Sequence, residues 1–457
     1  MPDPTLAARG PLQTQTGADV PRLQNFIGGR WVESTASHWL DVHNPALGSV
    51  IAKVPLSTGR DLDAAVTAAR QAFPNWSETP PVVRARTMFR FKALLEEHFE
   101  ELARIVTTEH GKTIDESRGS VRRGIECVEV ACGGPSLLMG YGLENIATSI
   151  DCTVMRQAIG VTAAIAPFNF PAMVPLWFLP FAVVCGNTFI VKPSEQVPLS
   201  QQRMFQLLEQ CGLPPGVVNL VNGGREVVEA ICDHPGIKGV SFVGSTAVAR
   251  TVYQRATHAG KRCQALGGAK NFVIVMPDAD LDRSIPIITE SFYGCAGERC
   301  LAGSVLLPVG SAHQPARDRL VDAAAALKVG DGLAPGVTMG PVISATHRDK
   351  VRGYVDRGVS EGASLALDGR GTTVPDRPEG YFIGPSVFDA VSRTCTSRRR
   401  RLMSGSTIAS VADSMPTSAS TSHGEYDHST TAANSIGKIV VDTWKQTTSN
   451  TSSRRRA

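Results

Sequence analysis

Gly160-Val161-Thr162-Ala163-Ala164-Ile165-Ala166 opens the stretch that decides the fold. From here to Ser245, short apolar runs alternate with segments of helical period. Strands fit Val161 to Ala166, Asn187 to Lys192, Val217 to Val221 and Gly239 to Val243, and helices fit Ser200 to Cys211 and Glu226 to Asp233. Buried strands separated by helices predict a parallel sheet covered on both faces, so the fold class is α/β. Such sheets take ligands at the carboxyl ends of their strands. Lys192-Pro193-Ser194-Glu195 puts a cation and an acid past the second strand, Asn222-Gly223-Gly224 a tight turn past the third, and Phe242-Val243-Gly244-Ser245-Thr246 the start of a helix past the fourth. The first N–H groups of a helix suit a pyrophosphate, and Glu195 suits the ribose hydroxyls of NAD while repelling a 2′-phosphate. The G-x-G-x-x-G motif is absent and each feature alone is also ordinary loop chemistry; their shared location is the argument.

Upstream, Phe26-Ile27-Gly28-Gly29-Arg30-Trp31-Val32 carries the turn glycines of a hairpin. Leu62, Ala65, Val66, Ala69 and Phe73 recur at helical spacing, as do Met88, Phe91, Leu95, Phe99, Leu102 and Val106. Gly111-Lys112-Thr113 imitates the end of a phosphate-binding loop, but Val106 stands where that motif needs glycine, so it is set aside. Arg122-Arg123-Gly124-Ile125-Glu126 lies in a helix and reads as a solvated basic face. Asn145 to Ile150 and Cys152 to Gln157 look like two short strands around a turn, a hairpin of the kind that crosses into a neighbouring subunit.

Downstream, Phe292-Tyr293-Gly294-Cys295-Ala296-Gly297-Glu298-Arg299-Cys300-Leu301-Ala302-Gly303 is built to present a thiol. Its glycines allow close backbone approach, and a guanidinium beside Cys300 would favour the thiolate, the species that attacks a carbonyl. Cys300 is the candidate nucleophile. Most cysteines are inert small hydrophobes, which is the bland reading of this one. A metal or redox pair of Cys295 and Cys300 would need further ligands at short spacing, and the sequence supplies none nearby.

The 457 residues predict two or three domains, and a formal net charge of +4 points to neither nucleic acid nor an anionic membrane. Ten cysteines without a C-x-x-C fit a reducing compartment, and the cytoplasm is the expected location. Ala158 to Val191 is nearly uncharged, but Pro167, Pro171, Pro175 and Pro180 cut it into pieces shorter than a bilayer requires.

Taken in order, Pro167-Phe168-Asn169-Phe170-Pro171, Lys192-Pro193-Ser194-Glu195, Phe242 to Thr246, Leu266-Gly267-Gly268 and Gly297-Glu298-Arg299-Cys300 resemble the aldehyde dehydrogenase superfamily, over roughly Asn25 to Asp389. Met339-Gly340-Pro341 and Tyr381-Phe382-Ile383-Gly384-Pro385 fit the same pattern. The resemblance implies a Rossmann-type NAD domain (25–144 and 158–265), an oligomerisation hairpin (145–157), an α/β catalytic domain (266–390) and a polar N-terminal extension (1–24). It implies Cys300 as the residue acylated, Asn169 as the oxyanion amide, and Ala166, Phe168, Lys192, Ser194, Glu195, Gly223, Gly244 and Ser245 as the NAD contacts, with no metal. Partners would be small molecules and copies of the same chain, in a tetramer, with no nucleic acid or membrane. Hydrolytic members carry glutamate directly before Leu-Gly-Gly, where this chain has Ala265. Water needs a base to attack a thioester, whereas a thiol is partly ionised already. The chain therefore resembles the CoA-acylating methylmalonate-semialdehyde dehydrogenases, which share Ala269-Lys270-Asn271, with coenzyme A as co-substrate and Arg123 and Arg299 clamping a substrate carboxylate. The alternatives are a hydrolytic dehydrogenase of another semialdehyde and a non-catalytic remnant.

After about Ala390 the resemblance stops. From Ser392 onward 25 of 66 residues are Ser or Thr, a composition that does not fold alone. The Glu-Glu-Ile-Phe-Gly-Pro segment that the family carries at the nicotinamide ribose is missing, so the catalytic domain is incomplete. A natural disordered tail and a shifted reading frame compete for residues 391–457. The second is favoured because the break falls inside a domain, and it makes activity of the chain doubtful.

Overall fold

A computed structural model describes residues 20–389, Val391 and residues 408–411. Strands β1 (Asn25–Ile27) and β2 (Arg30–Val32) form the predicted hairpin, and β3 (Trp39–His43) pairs with β4 (Val50–Pro55). Helices α1 (Gly59–Glu78), α2 (Pro81–Glu97), α3 (Phe99–His110) and α4 (Ile114–Cys132) follow. The second apolar stripe is divided between α2 and α3, because His98 leaves the helical conformation (φ −99°, ψ 19°) and ends one helix as it begins the next. Gly111 closes α3 in the left-handed region (φ 95°), where a Cβ would lie 2.6 Å from Pro341.

The exposed hairpin pairs β5 (Tyr141–Ala147) with β6 (Ile150–Val154), so it begins four residues before the sequence suggested. Asn145, read as a strand start, instead sits at an irregularity with φ 49°, and the chain reverses next to Ser149 at φ 61°. Short polar side chains tolerate this region best.

Strands β7 (Val161–Ile165), β8 (Thr188–Lys192), β9 (Val218–Leu220), β10 (Ile237–Val243) and β11 (Arg262–Leu266) run parallel, and the full sheet has the order β11-β10-β7-β8-β9-β1-β2. The central strand β8 is buried along its whole length, which is why its middle, Phe189-Ile190-Val191, is apolar on both faces. A second sheet has the order β12-β13-β16-β15-β14, from β12 (Asn271–Val275), β13 (Gly303–Pro308), β14 (Ser364–Leu367), β15 (Ser386–Asp389) and β16 (Ile408–Val411).

Strand β16 lies inside the segment read as a structureless tail, and it corrects that reading for four residues. It pairs in parallel with β13 on one side and β15 on the other, filling the slot between two strands whose backbone groups would otherwise lack partners. The remainder of the tail, and with it the disorder expected there, lies outside the described residues, as does the polar N-terminal extension before residue 20. Among the described residues no helix is long and apolar enough to cross a membrane.

Candidate active site

A cavity of about 380 Å³ opens at the carboxyl ends of β7, β8 and β10 and reaches the loop before β13. Ala166, Phe168, Asn169, Lys192, Ser194, Glu195, Gly244, Ser245, Arg299 and Cys300 all line it. Two predicted residues do not. Gly223 turns the chain between β9 and the next helix at φ 145°, with Val227 packed where a Cβ would stand, and it serves that turn rather than the wall. Arg123 stands on the outer face of α4 with its side chain 74% exposed and only a 3.9 Å contact to Glu126. The neighbouring Gly124 takes the inward position, against Ala172, Met173 and Leu176, and this turns Arg123 outward.

The dinucleotide side of the cavity is set by strand ends. Lys192, the last residue of β8, donates to the Glu195 carboxylate at 2.9 Å. Burial alone would push Glu195 up, but the Lys192 ammonium overrides it and holds the carboxyl below its ordinary value, hence anionic at neutral pH. Ser245 caps the helix Thr246–His258 by accepting from the Val248 N–H, so the helix presents its N-terminus to the cavity. Gly244 has no room for a side chain, since a Cβ would lie 2.5 Å from the Phe242 ring. Val228 and Val248, which sequence reasoning passed over, add apolar wall. An acid at a strand end, a helix N-terminus and an apolar slot fit an NAD molecule.

The thiol side is set by the loop Gly294–Cys300. Cys295, Ala296 and Gly297 all adopt positive φ (58°, 50° and 75°), a cost that persists only where surrounding contacts fix it. Glu116 supplies one such contact: a single carboxylate oxygen accepts the Cys295 N–H at 2.6 Å and the Arg299 guanidinium at 3.0 Å. Asn271 supplies another, donating to the carbonyls of Cys300 (3.2 Å) and Ala302 (2.9 Å). The Asn169 side-chain amide donates to the Glu298 carbonyl at 2.6 Å. An amide nitrogen has two N–H groups, so one anchors the loop and the other remains for a ligand.

Cys300 itself is half-buried. Burial pushes its thiol above the ordinary value, opposed by the N–H groups of Cys300 and Leu301. The expectation that Arg299 favours the thiolate is therefore corrected, because its guanidinium is turned to Glu116 and Glu290. Glu298 was quoted from the sequence only as part of a motif, yet it is completely buried, with burial pushing its carboxyl up to about 8 against the Ile343 N–H and Lys112. Its second oxygen faces the buried His110 imidazole at 3.5 Å. Burial, aided by Lys112, holds His110 well below its ordinary value, so both groups are neutral at pH 7.

A doubly covered parallel sheet whose strand-end crevice shares its mouth with a cysteine and an amide donor is the architecture of an oxidoreductase. The chain belongs to the aldehyde dehydrogenase family, which it matches over residues 31–400. It is 50% identical over 380 residues to malonate-semialdehyde dehydrogenase 1 of Geobacillus kaustophilus, spanning 83% of this chain and 78% of that one. It is 49% identical to malonate-semialdehyde dehydrogenase of Halalkalibacterium halodurans, over 82% and 77%. Among solved structures it resembles a putative methylmalonate-semialdehyde dehydrogenase from Sinorhizobium meliloti complexed with NAD, with TM-score 0.85, 40% identity and coverage of 88% and 81%. The methylmalonate-semialdehyde dehydrogenase of Oceanimonas doudoroffii gives TM-score 0.83 and 43% identity, over 86% and 81%.

Proposed function

We propose that the chain is built for NAD-dependent, CoA-acylating oxidation of malonate or methylmalonate semialdehyde, giving acetyl-CoA or propionyl-CoA with release of CO₂. The names of its relatives support the substrate class. The observation that carries the acyl acceptor is the make-up of the cavity: among the described lining residues Glu195 is the acid and it is bound to Lys192, while the position directly before Leu266-Gly267-Gly268 is Ala265 and carries no carboxylate. Water attacking a thioester would find no base, whereas a thiol needs none.

In this reading the Cys300 thiol gives its proton to solvent and its sulfur bonds to the aldehyde carbon, whose carbonyl π bond breaks to leave the oxyanion. The second Asn169 N–H and the Cys300 N–H stabilise the oxyanion; one such donor contributes typically ~3 to 4 kcal/mol. An NAD molecule held by Glu195 and the N-terminus of helix Thr246–His258 would supply the hydride acceptor. Collapse of the oxyanion with loss of the hydride leaves a thioester on Cys300; the β-carboxylate departs as CO₂, its bonding pair passes to the α carbon, which takes up a proton from solvent, and the CoA thiolate displaces the Cys300 sulfur. Arg299 holds the carboxylate until then, joined by Arg123, whose exposed side chain must turn in from the outer face of α4 to reach it. The seven-stranded sheet serves the nucleotide, the five-stranded sheet the thiol, and the β5–β6 hairpin assembly into a homotetramer.

The test is product formation from malonate semialdehyde and NAD with and without CoA, read at single turnover with protein in excess. Acetyl-CoA formed only when CoA is present is expected. Free acid formed at the same rate without CoA would overturn the acceptor assignment and favour hydrolysis.

A further inference from the structure

The motif set aside in the sequence, Gly111-Lys112-Thr113, lies under the proposed oxyanion site. Lys112 is 1% exposed, its ammonium donates to the Asn169 carbonyl at 2.6 Å, and it sits 4.2 Å from the centroid of the Phe170 ring. The buried carboxyl groups of Glu109 and Glu298 feel its charge, but its hydrogen bond is to a carbonyl and not to either of them. A buried cation without a contacting carboxylate is costly, and a neutral donor would satisfy one carbonyl at less cost. The turn that carries it is tightly wedged. A Cβ on Gly332 would lie 2.4 Å from the Lys112 carbonyl, and one on Gly340 2.0 Å from the Gly111 carbonyl. Two residues earlier, His110 stacks on Phe168 with ring centroids 6.0 Å apart. The turn therefore grips the Phe168–Phe170 segment from below, while the Glu298 carbonyl fixes the Asn169 amide from the side of the nucleophile loop.

We infer that Lys112 is the positioning residue of the oxyanion site: its buried ammonium holds the Asn169 backbone so that the free N–H of the side-chain amide points at the carbonyl oxygen attacked by Cys300. The inference rests on the proposed role of Asn169. The ammonium also polarises the Asn169 peptide and lies close enough to oppose burial at Glu298 and Cys295.

The experiment compares two reactions of Cys300 in the full chain, neither of which needs hydride transfer. p-Nitrophenyl acetate acylates the sulfur through an oxyanion, its carbonyl taking the sulfur bond and releasing p-nitrophenolate. Iodoacetamide alkylates the same sulfur by displacing iodide, with no oxyanion. Both are followed at Cys300 by peptide mass spectrometry. Lys112→Met is expected to slow acylation about 10- to 100-fold, within the loss seen on removing an oxyanion donor, and to leave alkylation within twofold. In an Asn169→Ala background, which is itself slow in acylation, Lys112→Met should add little, since residues acting through one contact are not additive. Lys112→Gln, which keeps an N–H donor but no charge, takes its place in the cycle if Lys112→Met does not fold. Unchanged acylation, an equal fall in alkylation, or a full additive loss on top of Asn169→Ala would each overturn the inference. If Asn169→Ala is slow while the Lys112 variants are normal, the inference alone fails; if Asn169→Ala acylates normally, the oxyanion assignment fails with it.

Discussion

One oxygen of Glu116 holds both the Arg299 guanidinium, at 3.0 Å, and the Cys295 N–H, at 2.6 Å. The other accepts the Thr113 N–H at 2.9 Å and closes the capping box of α4. One side chain thus ties a helix start to the left-handed turn that precedes Cys300. Glu116→Ala is expected to destabilise the fold by about 2–4 kcal/mol, combining a lost cap with an unsatisfied buried N–H. Glu116→Gln, which keeps an acceptor, should cost less. The denaturation midpoint in urea is the measurement, and equal midpoints for wild type and Glu116→Ala would show that the turn does not depend on this brace.

Burial makes Glu298 a pH-dependent element of stability. Its carboxyl is ordinary in the unfolded chain and is pushed up to about 8 in the folded one, so between pH 4.5 and 8 the folded state holds the extra proton. Its contribution is complete below the unfolded value and is lost as pH rises toward 8, with a slope of up to about 1.4 kcal/mol per pH unit for one proton. Glu298→Gln stays neutral throughout. The difference in unfolding free energy between the two proteins should therefore move in favour of the variant as pH rises from 5 to 8. A difference independent of pH would show that Glu298 is ionised in the fold.

The parallel sheet could be read from the sequence because burial on both faces leaves the middles of β7 and β8 as apolar runs, and because strand-end loops announce themselves through Gly, Pro and charge. The same logic found Lys192, Glu195, Gly244, Ser245 and Cys300, all of which meet at one cavity. It missed Lys112, His110, Glu116 and Glu298 as a group. Their roles depend on contacts between residues up to 183 positions apart, such as Glu116 with Arg299, which no local spacing encodes. The direction of the Cys300 shift was also hidden, because sequence shows the neighbouring Arg299 but not the Glu116 that draws it away. Strand β16 was obscured by the Ser- and Thr-rich composition around four residues.

Glu195 should set the choice of nucleotide. Its carboxylate is anionic and stands at the end of β8 in the cavity, where a 2′-phosphate would be repelled. Glu195→Gln is expected to weaken NAD binding several-fold and to narrow the preference for NAD over NADP by about tenfold, the equivalent of 1.4 kcal/mol. Quenching of tryptophan fluorescence by each nucleotide reports the two dissociation constants, and an unchanged ratio would remove Glu195 from the ribose site.

Arg299 and Arg123 differ in how free they are to take a substrate carboxylate. Arg299 must exchange Glu116 for it, whereas Arg123 is exposed and gives up only a loose contact with Glu126. Arg123→Ala should therefore leave stability within about 0.5 kcal/mol. It should raise the concentration of malonate semialdehyde that half-protects Cys300 from iodoacetamide by about tenfold or more, the loss of a hydrogen bond to a charged group. Propionaldehyde, which lacks the carboxylate, should protect both proteins equally. Equal protection by malonate semialdehyde as well would leave Arg299 as the sole clamp.

Turnover is the remaining expectation, and it separates two parts of the site. Cys300, Asn169 and the strand-end residues already meet at the cavity within residues 20–389. Thiol alkylation and nucleotide binding should therefore be retained. Hydride transfer needs more, because the nicotinamide must be held at the sulfur, and the Glu-Ile-Phe-Gly-Pro segment that would grip its ribose is absent from the sequence after Ala390. A misplacement of 1 Å at a reacting centre costs about 100-fold. Steady-state reduction of NAD is accordingly expected to be low or absent in a protein whose Cys300 still reacts with iodoacetamide. A soluble tetramer with ordinary NAD-linked turnover would show that the segment from residue 391 onward supplies this wall after all.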